Sequence, residues 1–444
     1  MEKRLFSKQD LRRLIVPLIL EQTLAITVGM ADTMMISSVG EAAVSGVSLV
    51  DMVNNWIISI LAALATGGAV VVSQFIGAGQ KEKACKSVKQ LIVTSGVITL
   101  AVTALVMIFH RPLIKLFFGA IEQDVFAHAS VYLLITALSF PFLSIYNSCA
   151  ALFRSMGNSK ITLKVSALMN LINVAGNAIC IYGFKMEAAG VAIPSLVSRG
   201  VAALMLYHLL CNPENMIYVT KERFRPDFGI IKRILYIGIP SGIENGIFQL
   251  GRVLVVSIIA GFGTVQIAAN GVANSLDAMG CIIGGAMGLA MITVVGQCVG
   301  AGDLKQLKYY TVRLMAFTYA ATAVTNGIIL ATLPWTLQIY GLGQETTELA
   351  YKLVMIHNGM SIFLWPAAFV LPNMLRACND VRFTMVVSIF SMFTFRIALS
   401  YVIGVHMGYG ALGVWNAMVL DWIFRTLCFV IRYMTGGYRK TLNI

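Results

Sequence analysis

Pro17-Leu-Ile-Leu-Glu21 returns in the second half of the chain as Pro240-Ser-Gly-Ile-Glu244, and Gln74-Phe-Ile-Gly77-Ala-Gly79 returns at the same offset as Gln297-Cys-Val-Gly300-Ala-Gly302. A third echo joins Arg154-Ser-Met-Gly-Asn158 to Arg376-Ala-Cys-Asn-Asp380. The third offset is one residue shorter, so only small insertions separate two homologous halves. The chain is therefore read as a first lobe at 1–211, a linker at 212–233 and a second lobe at 234–444.

With 58% hydrophobic and only 12% charged residues, the composition lies outside the range of soluble domains and calls for lipid as the main solvent. Crossing roughly 30 Å of hydrocarbon at about 1.5 Å per residue takes about 20 apolar residues in helical form. Such runs occur near 14–37, 50–76, 88–109, 126–153, 161–183 and 188–211, and again near 234–260, 268–299, 310–332, 347–375, 383–405 and 409–433. No segment alternates with period two between turn signals, so a β-barrel is not expected. The predicted fold is an all-α polytopic membrane protein with twelve transmembrane helices in two six-helix lobes. An even number of crossings per lobe makes both lobes enter from the same side, which is a parallel repeat about an axis along the membrane normal.

Orientation follows from the basic residues. With the N-terminus in the cytoplasm, 25 of the 33 Lys and Arg residues fall on cytoplasmic segments, so both termini are expected there, in a multi-pass plasma (inner) membrane protein. That placement accounts for the net charge of +13 without a nucleic-acid partner. The opening residues are polar and basic and the first apolar run is too long for a signal peptide, so it is expected to remain. Eight cysteines form no CxxC pair and no Cys/His cluster, which argues against a disulfide framework or a zinc site. No GxxxxGK[ST], HExxH or GxSxG motif occurs, so neither an ATPase nor another enzyme is expected, and no cofactor beyond a coupling ion.

Several stretches together resemble the multidrug and toxic compound extrusion (MATE) family, in its prokaryotic branch. They are Met30-Ala-Asp32-Thr-Met-Met-Ile36, Gly40-Glu-Ala-Ala-Val-Ser-Gly46, both Gly-Ala-Gly loops, the Arg154 and Arg376 segments, and Gly261-Phe-Gly-Thr-Val-Gln-Ile-Ala-Ala-Asn270. The resemblance implies a two-lobed secondary transporter that exports small amphipathic organic cations in exchange for Na⁺ or H⁺ by alternating access, working as a monomer in the bilayer. The alternative is a lipid-linked oligosaccharide flippase of related fold. Six acids among ten intramembrane charges fit an exporter of cations better than a site for pyrophosphate-linked lipid.

A carboxylate in hydrocarbon is costly unless paired, protonated or hydrated, so each intramembrane acid is a functional candidate. The resemblance implies that Asp32 is the ion-coupling acid, working with polar residues at Asn173, Asn177 and Ser195, where a Na⁺ or a proton would be held. Asn173 and Asn177 share a helix face at i, i+4, and the plain alternative is interhelical hydrogen bonding. Many relatives carry Asp where this chain has Asn177, which leaves a single protonatable carboxylate as an option. Glu21 and Glu244 each follow a helix proline by four residues. They either contact substrate or ion at the lobe interface or brace the proline kinks. Arg252, Arg396, Asp421 and Arg425 are expected to form an internal charge network of the second lobe. Asp51 and Asp277 read as charges near helix N-termini, or as attractors of cations at the mouth. Arg199 has no partner adjacent in sequence, and no histidine receives a role.

Overall fold

The computed structural model describes residues 4–119 and 121–442. Among the described residues thirteen long helices follow one another: α1 (Lys8–Ser37), α2 (Glu41–Gly77), α3 (Lys81–Phe118), α4 (Gln123–Leu138), α5 (Phe140–Ser155), α6 (Ser159–Gly183), α7 (Ala189–Leu210), α8 (Phe228–Ala260), α9 (Thr264–Gly300), α10 (Leu304–Ile339), α11 (Gln344–Ala377), α12 (Val381–His406) and α13 (Gly410–Met434). No strand forms among these residues. Eleven of the helices are long and apolar enough to cross a membrane, and α4 with α5, bent by 43° at Ser139, makes the twelfth span. The protein is an all-α polytopic membrane protein built from two homologous sets of six spans.

Helix ends carry the duplication as clearly as the motifs do. Gly40 (φ 140°) and Gly263 (φ 101°) start α2 and α9 at equivalent places in the two halves, in backbone conformations that a side chain would strain. After the same two helices, Gly79 (φ 69°) and Gly302 (φ 70°) turn left-handed. The following N–H groups then reach back to the helix, Gln80 to the Phe75 carbonyl at 2.9 Å and Asp303 to the Cys298 carbonyl at 3.2 Å. The third echo uses Gly157 (φ 77°) in one half and Asn379 (φ 66°) in the other; asparagine is among the few residues that tolerate this region. Ser7 and Asp10 cap α1 reciprocally, Asp10 N–H donating to Ser7 Oγ at 3.1 Å and Ser7 N–H to Asp10 Oδ2 at 2.8 Å.

The chain divides into two compact units, Phe6–Gly242 and Ile243–Ile444, the latter joined by Leu5. Leu5 N–H donates to Gln306 Oε1 at 2.8 Å. The division falls inside α8, beyond the 212–233 linker read from sequence, because the first part of α8 packs on α2 of the first unit. Gly67 has no side chain there. A Cβ at Gly67 would lie 2.4 Å from the Ile234 carbonyl oxygen, so only glycine permits this approach. Arg233 also donates to Gln74 Oε1 at 2.9 Å.

In each unit one helix is central. The spanning window of α2 is 67% buried and that of its neighbour α3 only 28%, and α3 presents Leu100, Leu105 and Ile108 on its outer surface, as a lipid-facing helix does. Val50, Val53 and Ile57 of α2 pack with Tyr132 and Leu133 of α4 and Val191 of α7. In the second unit Val272 and Leu276 of α9 pack with Leu333, Leu353 and Trp415. Among the described residues four stretches widen to π-helix: Ile179–Gly183, Pro366–Val370, Met392–Ala398 and Ser400–His406. Such widening recurs at functional positions in helical proteins, and Arg396 sits on one of them.

Candidate functional site

In the first unit, α1, α6 and α7 bring polar side chains together around one carboxylate. Asn177 Nδ2 donates to Asp32 Oδ1 at 2.8 Å. The Asn173 carboxamide, turned with its nitrogen toward Asp32, reaches Oδ1 at 3.0 Å and Oδ2 at 3.1 Å while its oxygen accepts from Ser195 Oγ at 3.0 Å. Asn177 is fully buried and Asn173 nearly so. The i, i+4 spacing of the two asparagines on α6 and the crossing of α1 over α6 produce the convergence, so Asp32, Asn173, Asn177 and Ser195 form one cluster. Asn177 Oδ1 is buried with no hydrogen-bond partner, a free acceptor beside the carboxylate.

A second acid belongs to the same electrostatic neighbourhood. Tyr132 Oη donates to Asp51 Oδ1 at 2.9 Å, Asn54 Nδ2 donates to Thr136 Oγ1 at 3.1 Å, and Arg199 Nη1 donates to Ser139 Oγ at 2.7 Å. Arg199 interacts electrostatically with both Asp32 and Asp51. One guanidinium thus stands among two carboxylates, and the region carries a surplus of negative charge when both are ionised.

Glu21 and Glu244 are each paired inside their own unit. Glu21 meets Arg154 at 2.9 Å and accepts from Thr162 Oγ1 at 3.1 Å. Glu244 meets Arg376 at 2.8 Å, an ion pair whose angle falls short of a hydrogen bond at Oε2, and accepts from Ser388 Oγ. Arg154 and Arg376 are the arginines of the third sequence echo, so this pair is itself duplicated.

The second unit holds the charge network. Asp421, fully buried, meets Arg425 Nε at 2.9 Å and Arg396 Nε at 3.4 Å and accepts from Ser391 Oγ. Arg425 continues to Ser388 Oγ and the Ser388 carbonyl, both at 3.1 Å, which links the network to Glu244. Arg396 lies 5.1 Å from the centre of the Phe248 ring, a cation–π distance. Arg252 departs from the expected set of four. It is exposed on α8, and among the described residues it makes no hydrogen bond or ion pair, although it faces the same cavity as Asp277.

Both halves, residues 17–179 and 240–402, match the family model described as MatE. The chain belongs to the MatE family. It is similar to the uncharacterized transporter YisQ of Bacillus subtilis, 26% identical over 92% of this chain and 90% of the relative. It is also similar to the probable multidrug resistance protein NorM of Thermotoga maritima, 26% identical over 98% of this chain and 93% of the relative. A crystal structure of a MATE protein in the bent conformation shares the fold, with TM-score 0.89 at 19% identity, over 98% of this chain and 97% of that one. Membership in MatE places the chain among multidrug efflux transporters.

Within this MatE chain, two readings from sequence are corrected. Asp51 and Asp277 are not at helix N-termini: α2 begins at Glu41 and α9 at Thr264, so the acids lie about three and about four turns inside their helices. The residues ahead of the apolar run of α2 are helical, started by Gly40, and both acids lie in side-chain clusters. Asp277 Oδ1 lies 3.1 Å from His357 Nδ1. His357 is fully buried against the rings of Trp422 (4.2 Å between centres) and Trp415 (4.5 Å), and its Nε2 has no hydrogen-bond partner. Sequence reasoning missed His357, since no motif or repeat mate marks it; its one signal was a histidine inside an apolar run. Gly280, Gly284 and Gly288 line one face of α9 against Asn326, Trp365 and Asn373, the close packing that small-xxx-small spacing serves.

Proposed function

We propose that the protein is a secondary antiporter that exports small amphipathic organic cations in exchange for inward Na⁺ or H⁺, with Asp32 as the coupling group. The observation that carries this reading is the convergence of Asn177, Asn173 and Ser195 on the single carboxylate of Asp32 within an apolar unit. Two amides and a hydroxyl offer oxygen atoms for a hard cation, and the same side chains stabilise either the ionised or the protonated acid as they rotate. An ion bound there favours one conformation of the transporter, and the organic cation favours the other. Coupling is the difference in affinity between the two states.

Glu21 and Glu244 act in this scheme through their arginines, as braces that hold α1 and α8 at their prolines. The relatives named above are described as a transporter and a multidrug resistance protein, which does not favour the flippase alternative. The membrane is the cell membrane with both termini cytoplasmic, a reading supported by the distribution of Lys and Arg.

The test is efflux of ethidium from proteoliposomes under a Na⁺ gradient and a pH gradient imposed separately, with Asp32→Asn beside the parent. Efflux driven by one of the gradients and lost in the variant supports the proposal. Efflux that Asp32→Asn leaves unchanged removes Asp32 from the mechanism.

A further inference from the structure

The second unit contains a cavity of about 290 Å³ whose lining includes Arg252, Arg396, Asp277 and His357 among the rings of Phe248, Trp365, Phe369 and Trp422. Its position is informative. Val255, Arg396 and Met418 on its wall are the repeat mates of Asp32, Asn173 and Ser195, at the offset that relates Pro17 to Pro240, so this is the counterpart of the Asp32 cluster. The duplication has exchanged the chemistry: valine for the carboxylate, guanidinium for an amide, and thioether for a hydroxyl.

The charge balance is reversed as well. Around the cavity stand three guanidiniums, Arg252, Arg396 and Arg425, and two carboxylates, Asp277 and Asp421. Asp421 is already shared by Arg396 and Arg425, and Asp277 lies against His357. Arg252 makes no ion pair among the described residues, and the carboxylate that shares its cavity is that same Asp277. Arg396 Nε, although almost fully buried, meets Asp421 without hydrogen-bond geometry. A buried guanidinium with an unused donor and an unpaired one on the same wall is an arrangement that an external anion completes, because arginine's planar fork matches a carboxylate.

The walls specify the rest of the ligand. Trp365 and Phe369 are stacked with centres 5.1 Å apart, and Phe248 meets Phe369 edge-on at 5.9 Å. Gly284 makes room for Trp365: a Cβ there would lie 1.9 Å from the indole ring. The volume accommodates one or two fused rings, at the small end of ligand pockets.

We propose that this cavity binds an amphipathic organic anion, an aromatic carboxylate, with Arg252 as its charged anchor and the rings of Trp365 and Phe369 as its stacking surface. The site differs from the Asp32 cluster in residues, unit and charge. It extends the chain's ligands beyond cations and does not depend on which ion drives transport.

The test uses the full-length protein in non-ionic detergent and calorimetric titration with 2-naphthoate, with uncharged 2-naphthamide as the isosteric control. The naphthoate is expected to bind about tenfold more tightly than the amide, the usual worth of a hydrogen bond to a charged group. Arg252→Met removes that preference, Arg252→Lys keeps part of it, and Asp32→Asn leaves it intact. Asp277→Asn tightens naphthoate binding by removing a like charge. Equal affinities for the two probes, or an unchanged preference in Arg252→Met protein that elutes as the parent does, overturns the proposal. Loss of ethidium efflux in Asp32→Asn bears on the antiport reading alone, so the two fail separately.

Discussion

Neutralising Asp421 as Asn is the perturbation whose cost the structure defines best. The side chain is fully buried and answers two guanidiniums, at 2.9 Å and 3.4 Å, which are themselves only 3% and 6% exposed. Asparagine keeps the shape and the contact with Ser391 but leaves Arg396 and Arg425 close together with no countercharge. Removing one partner of a buried ion pair costs about 3–5 kcal/mol. For a unit of about 200 residues, 1 kcal/mol lowers the melting temperature by about 2–4 °C, so a fall of about 6–20 °C is expected. The assay is thermal unfolding of purified protein in non-ionic detergent, followed by tryptophan fluorescence, since Trp422 lies on the same helix next to Asp421. Coupling gives a second readout. Adding Arg396→Gln to Asp421→Asn removes one of the two stranded cations, so the double variant melts above the single one. A transition for Asp421→Asn within about 2 °C of the parent, or losses that simply add, would refute the account of a shared buried acid.

Other outcomes follow from single contacts. Arg154→Met strands Glu21 and is expected to cost about 3 kcal/mol; Glu21→Gln in the same chain restores part of the loss, and a double variant no more stable than Arg154→Met counts against the brace. Gly284→Val drives a side chain into the Trp365 ring and is expected to abolish the naphthoate preference while shifting tryptophan emission, and unchanged emission would place Trp365 elsewhere. Asp227 caps α8, accepting from Gly229 N–H at 3.0 Å and Ile230 N–H at 3.2 Å, and pairs with Lys86 at 2.8 Å. The Lys86 hydrogen bond and then the Ile230 N–H hold its carboxyl below the ordinary value of 3.8. The depressed folded value means that its contribution is complete above about pH 4 and is lost as pH falls through the folded value. Asp227→Ala is therefore expected to lower hydrogen-exchange protection of the first turn of α8 about fivefold at pH 7, and equal protection would show that the cap is idle.

How much of this was legible in the sequence depended on the kind of signal. The duplication and the spans were legible because both are periodic: echoes at a fixed offset and apolar runs of membrane length appear without any structure. Helix starts were less so. Gly40 initiates α2 well before the apolar run that begins near 50, and hydropathy is blind to that polar stretch, so Asp51 reads as a helix-end charge; Asp277 already lies inside its run, and its packing against His357 is what hydropathy does not show. The convergence of Asn173 and Asn177 on Asp32 followed from resemblance and helical spacing, whereas Tyr132 beside Asp51 and His357 beside Asp277 join helices far apart along the chain and leave no local pattern. Arg252 reads from sequence as one of the intramembrane charges of the second lobe. Which face of α8 it occupies is set by packing, and it stands apart from Asp421. The close approach of α8 to α2 needs the missing side chain of Gly67, which a sequence shows only as one more glycine.

The central claim is that the ion and the organic cation are linked through Asp32. The most direct measurement is the dissociation constant of ethidium for the purified protein, by fluorescence anisotropy, as Na⁺ concentration and pH are varied independently. Linkage through Asp32 requires that ethidium binding weaken as the coupling ion rises, and that Asp32→Asn make the affinity independent of it. An Asp32→Asn protein that still binds ethidium with the parent's dependence on Na⁺ or pH would contradict the account.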